Sequence, residues 1–174
     1  MLDKDQIRVK KALISILGKC MEKNNPKPYL NYVHKDGNTL VATDTRRMII
    51  ISGEEVETLF KGENSLIDIK NHYEIQQTDD VAYSDYKRII LPDDVECVEV
   101  KDWMYAVFFY PQSEFKSFID TWSINPLIKE IDRYVDSTVV IRNRQHDSPI
   151  QFEFKLGFGD ISFDVKFIVM PISR

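Results

Sequence analysis

The sequence predicts an α+β fold in which helices cover one face of antiparallel sheets, repeated in two similar halves. Three observations carry the prediction. Apolar residues recur at helical spacing near the start and in the middle of the chain, and a long strand-rich stretch follows each helical region. The run Gln151-Phe152-Glu153-Phe154-Lys155-Leu156 alternates apolar and polar residues, as a sheet with one packed and one wet face requires. The 174 residues are 43% hydrophobic and 29% charged, with only 6 Gly and 7 Pro, which leaves room for about one core and little for linkers. A single domain over 1–174 is expected, with halves at roughly 1–92 and 93–174.

Each element has its own local reason. Val9, Leu13, Ile16, Leu17 and Cys20 are three or four apart and share one helical face, predicting a helix over 3–23. Asn24-Asn25-Pro26-Lys27-Pro28 ends it, because proline cannot continue a helix and disfavours helical geometry before it. Strands over 29–34 and 39–52 flank a turn at 35–38, where Gly37 accepts the positive φ of a tight hairpin. Met48-Ile49-Ile50-Ile51 is continuously apolar, so that strand should be covered on both faces. A short helical turn is expected at 54–60. Further strands are expected at 65–69, 72–76, 88–91, 96–100 and 104–110. Helices should follow at 112–122 and 126–134, the latter with Pro126 in its first turn and residues 123–125 as caps. The chain returns to strands at 138–142, 150–156 and 161–171.

Composition excludes several functions. The 23 basic residues fall short of the 28 acidic ones, a formal net charge of −5, so a generally polybasic nucleic-acid or membrane binder is excluded while a local basic stripe is not. Three of the first five residues, Asp3, Lys4 and Asp5, are charged and no apolar run of signal or membrane-span length follows, so a cytoplasmic location is expected. Cys20 and Cys97 both have apolar neighbours and are expected as buried free thiols.

Catalytic patterns are missing from the sequence. The pairs Glu54-Glu55, Asp79-Asp80 and Asp93-Asp94 join neighbouring residues, whose side chains do not converge in a helix or strand. His34, His72 and His146 lie in separate segments, without the short spacings of a metal site. Gly157-Phe158-Gly159 lies between strands and opens no helix, so it reads as a turn and not as a phosphate loop. The chain is expected to be no enzyme, with no catalytic residue, metal or cofactor.

Four segments resemble a known family. Residues 36–48, DGNTLVATDTRRM, resemble the "DG-x-L-x-x-ATDG-x-R-L" segment of the bacterial DNA polymerase III β subunit, the sliding clamp. Residues 167–174, FIVMPISR, are similar to that family's C-terminal "YVVMPMRL". Residues 84–92, SDYKRIILP, are similar to its "PDYRRVLP" linker, and residues 106–115, AVFFYPQSEF, to the strand-Pro-helix entry of clamp half-domains. Two departures stand out: Thr45 occupies the Gly position of ATDG, and the chain has the length of only one enlarged clamp domain.

The resemblance implies a DNA-clamp-like fold of two βαβββ-type halves. In that family the ATDG segment, the linker proline and the C-terminal residues line an apolar cleft for short linear peptides of replication and repair proteins. Carried over, the cleft residues are Thr43, Arg46, Arg47 and Met48 with Pro92, Ile168, Met170 and Pro171. Met and Pro suit adaptable apolar walls, and Arg suits a polar rim. Clamps also turn helices toward DNA. Lys4, Arg8, Lys11 and Lys19 form one stripe of the first helix, opposite its apolar face, and are the expected contacts to the duplex backbone. The function implied is a noncatalytic processivity or tethering factor in DNA replication or repair, working as a homo-oligomeric ring. The alternative is a monomeric clamp-like module that binds peptides and does not encircle DNA.

Overall fold

The computed structural model describes residues 2–22, 24–61, 65–69, 73–76, 83, 85–114, 119–144 and 148–171. His72, Asp79, Asp80, Ser84, His146 and Ser173 lie outside them, as do residues 115–118 of the helix expected at 112–122. The architecture is α+β with antiparallel strands, as the periodicities predict. Backbone contacts divide the chain into two units, Met1–Asp85 and Tyr86–Arg174.

The first unit opens with α1, Lys4–Gly18, whose N-terminus is closed by a capping box. The Gln6 amide donates to Asp3 Oδ1 at 2.8 Å, and the Asp3 amide donates to Gln6 Oε1 at 3.1 Å. The helix stops short of residue 23 because the Lys19 and Cys20 amides turn back to the Ile16 and Leu17 carbonyls. Val9, Ala12, Leu13, Ile16 and Leu17 form its buried face, which packs on α2 (Glu55–Leu59) and on β2 (Thr39–Thr43). The remaining strands are β1 (Val33–Asp36), β3 (Arg47–Ser52), β4 (Ser65–Asp68) and β5 (Tyr73–Gln76), in the antiparallel order β5-β4-β1-β2-β3.

Two sequence expectations shift in this unit. The segment at 29–34 begins as a 3-10 turn, Pro28–Asn31, because Pro28 presets its φ at the turn's start. The β1–β2 hairpin pairs Asp36 with Thr39, so its two-residue loop is Gly37-Asn38 with Gly37 at φ 56°. Lys35 therefore belongs to the strand and not to the turn, and it is 1% exposed. Met48 to Ile51 are buried throughout, as the continuous apolar run predicts.

The second unit follows a β-helical-βββ order. β6 (Cys97–Val100) leads into α3 (Trp103–Phe108), α4 (Tyr110–Ser113) and α5 (Thr121–Ile131), and then β7 (Val139–Arg142), β8 (Ile150–Phe158) and β9 (Ile161–Val169). The strands are antiparallel in the order β9-β8-β7-β6. Its core packs Trp103 against Phe154 in a tilted pair, 4.5 Å between ring centroids, with Phe152, Phe167, Leu127, Ile128 and Ile131 also buried.

Residues 104–110 are not a strand: Trp103, Ala106 and Val107 bury one face of α3, and Asp102 caps it by accepting the Tyr105 amide at 2.8 Å. Aromatic and β-branched residues favour strands on average, but an aspartate cap and apolar residues at i, i+3 and i+4 outweigh that here. Residues 88–91, expected as a strand, do not form one: Tyr86–Ile89 is a 3-10 turn, and residues 90 and 91 follow it outside any strand. The helix expected at 126–134 starts at Thr121, where Asp120 caps it through the Ser123 amide, and Pro126 sits inside it. Cys97 is exposed on β6, whereas Cys20 is buried, and burial pushes its thiol well above the ordinary range. Gln151, on the face expected to be wet, is fully buried.

Candidate functional site

The first-unit residues of the expected cleft sit at the β2–β3 turn. Thr43 pairs with Met48 across it, and Asp44 organises the loop between them. Asp44 Oδ1 accepts the amides of Arg46 (3.1 Å) and Arg47 (3.0 Å), while Oδ2 accepts Arg47 Nε at 2.6 Å. The Thr43 hydroxyl donates to the Arg47 carbonyl at 2.7 Å and accepts the Thr45 amide at 3.1 Å. Thr45 is held at φ 74°, the left-handed region that favours glycine. This explains in physical terms why a glycine suits that position of the ATDG pattern. Thr43 (6% exposed) and Met48 (5%) are core residues, and Arg47 folds back on Asp44; Arg46 is the exposed member of the four.

The second-unit residues gather around Gln151. Its side-chain amide closes a two-point contact with the Leu91 backbone: Oε1 accepts the Leu91 amide at 2.9 Å, and Nε2 donates to the Leu91 carbonyl at 3.3 Å. Across the β8–β9 ladder Gln151 faces Ile168, so Pro92, which follows Leu91, and the residues that follow Ile168 come to one end of this sheet. Arg142 adds a second anchor. Its Nη1 donates to the carbonyls of Asp93 (2.9 Å) and Val95 (2.8 Å), and its Nε donates to Glu153 Oε1 at 2.9 Å. Pro92 and Met170 (44%) are exposed, Pro171 is half-buried and Ile168 is buried. The two groups of cleft residues belong to different units.

Lys4, Arg8 and Lys11 are exposed along α1, opposite its buried face. Lys19 is set apart: it is the C-cap, half-buried, and its Nζ donates to Ser15 Oγ at 3.0 Å. It lines a cleft of about 830 Å³ beside the end of α1, with Met21, Tyr32 and Asp68 among the other walls.

Sequence patterns did not single out the aromatic surface of the second unit. Tyr105 (45% exposed) and Phe109 (61%) lie one turn apart with rings stacked at 6.0 Å, and Trp122 in the first turn of α5 is 88% exposed. The i, i+4 spacing of Tyr105 and Phe109 becomes visible only once 103–108 is read as a helix. His34 is buried and stacked on Tyr83 at 4.6 Å. Among the described residues no three His, Cys, Asp or Glu side chains cluster as metal ligands would, and no helix is long and apolar enough to cross a membrane.

No family model matches the chain, and neither does any curated relative. Solved structures do. A β sliding clamp of Caulobacter crescentus bound to polyethylene glycol superposes with a TM-score of 0.61 at 14% identity, covering 95% of this chain and 64% of the clamp. The pol III β structure of Caulobacter crescentus gives 0.58 at 13% identity over the same shares. A Helicobacter pylori β clamp in complex with 5-chloroisatin gives 0.51 at 14%, covering 94% and 63%. The chain thus has the fold of bacterial β sliding clamps, and it spans 64% of the length of the Caulobacter chains it matches.

Proposed function

We propose that this chain is a noncatalytic tethering protein built on the sliding-clamp fold, acting in DNA replication or repair. In this reading α1 rests on the duplex backbone through Lys4, Arg8 and Lys11, and Pro92 with Met170 offers apolar anchorage to a short peptide of a partner protein. The observation that carries it is the fold, matched over 95% of the chain to β sliding clamps. The exposed cationic stripe on an otherwise acidic chain supports it, because phosphate contacts hold DNA without reading sequence and a net charge of −5 limits indiscriminate sticking. Strands β5 and β6 end the strand orders of their units, and open strand edges suit head-to-tail assembly of copies into a ring.

The test is duplex binding by the full chain, followed by fluorescence anisotropy across a salt series. Affinity should fall steeply with salt. Replacing Lys4, Arg8 and Lys11 together by Glu should weaken binding by at least about tenfold at low salt. These side chains are exposed, so the thermal midpoint should hold. Salt-insensitive binding, or a triple variant that binds as well as the parent, would sink the DNA assignment. Light scattering reads the ring separately.

A further inference from the structure

The helices of the second unit, together with β6 before them and the loop after them, form a stretch chemically unlike α1. From Asp93 to Asp136 the sequence carries ten acidic and four basic residues, a net of −6. Within this stretch Tyr105 and Phe109 present stacked rings to solvent, and Tyr110 meets Tyr105 edge-on at 6.5 Å. Two exposed carboxylates flank the cluster, Glu96 just before β6 and Glu114 at the C-cap of α4. Their charge is felt at Tyr110, whose phenol is pushed above its ordinary value by burial first, and then by Glu114, Tyr105 and Glu96.

We propose that the Tyr105–Phe109 face, with Glu96 and Glu114 beside it, docks an arginine-bearing segment of a partner protein. Charge complementarity selects this occupant. A nucleic acid or an anionic surface is repelled by the carboxylates, and a purely apolar partner would strip water from them without compensation. A guanidinium satisfies both halves of the surface, stacking on an aromatic face while donating to a carboxylate. An ammonium meets the charge but stacks poorly, so arginine is favoured over lysine. The assignment goes beyond the proposed tethering role and does not depend on α1 contacting DNA.

The experiment uses the full chain and three labelled peptides of equal length, alternating Gly with Arg, Lys or Glu, followed by anisotropy. The Arg peptide should bind about threefold or more tighter than the Lys peptide, and the Glu peptide should not bind. Tyr105→Ala and Phe109→Ala should each weaken the Arg peptide about three- to fivefold, whereas Tyr105→Phe, which keeps the ring, should retain binding. Glu96→Gln with Glu114→Gln should weaken binding and flatten its salt dependence. Equal binding of Arg and Lys peptides, unmoved by the ring variants, would reduce the effect to bulk charge and overturn the proposal. So would no binding of the Arg peptide. Self-association that Phe109→Ala abolishes would make a second copy the occupant and overturn it as well.

Discussion

The β2–β3 turn of the first unit and the 91–95 segment of the second are both irregular backbone fixed by polar side chains, but the reach of those side chains differs. In the turn, Asp44 bonds residues two and three positions ahead of it, and Thr43 bonds residues two and four ahead. The 91–95 segment is held from afar: Gln151 is 60 residues from Leu91, and Arg142 is 49 and 47 residues from Asp93 and Val95. A local device closes by itself and costs little chain entropy to form. The distant one exists only after β7 and β8 are in place. The turn should therefore be a fixed platform, and the 91–95 segment a report on the state of the whole second sheet.

Gln151→Ala should be the most damaging test of that contrast. Leu91 is 6% exposed, and its amide and carbonyl would lose their side-chain partner in a buried place, as Gln151 itself is 0% exposed. A loss of about 2–3 kcal/mol is expected in urea unfolding of the full chain. A loss below about 0.5 kcal/mol would mean that water or Arg142 replaces the contact, and the segment would not depend on Gln151.

Asp44→Ala should cost less, about 1–2 kcal/mol, because the freed amides of Arg46 and Arg47 lie near solvent and can be hydrated. Amide exchange sharpens the comparison. Faster exchange should stay within residues 43–48 for Asp44→Ala and should spread along β8 for Gln151→Ala. Exchange that spreads across the first unit in the Asp44 variant would show that the turn is not self-contained.

The same difference in reach decides what was legible in the sequence. The α+β class, the apolar face of α1, the Gly37 hairpin and the buried run Met48 to Ile51 are signalled by residues adjacent to the structure they form. Asp44 with Thr43 is similarly local, but the sequence marks that segment only through its likeness to the clamp pattern. For Gln151 strict alternation predicts the wet face; only the backbone of Leu91, brought from 60 residues away, makes its burial favourable. Helix α3 departs from its local preference for a different reason. Trp103 to Phe108 is rich in strand-favouring residues, and a single aspartate cap with packing on β6 and β7 outweighs that preference. Reading it as a strand hid the i, i+4 relation of Tyr105 and Phe109, and with it the aromatic surface.

Thr45 offers the finest probe of the local turn. At φ 74° a β-branched residue costs about 1–2 kcal/mol relative to glycine in the same conformation. Glycine gives part of that back through its greater freedom in the unfolded chain, about 0.5–1 kcal/mol. Thr45→Gly should therefore stabilise the chain by about 0.5–1 kcal/mol, with the Thr45 amide still donating to Thr43 Oγ1. Thr45 is exposed and its hydroxyl makes no hydrogen bond among the described residues, so the measurement reads mainly backbone strain. A destabilisation would mean that the left-handed backbone is not strained at this site, and the turn would owe its form to the Asp44 bonds alone.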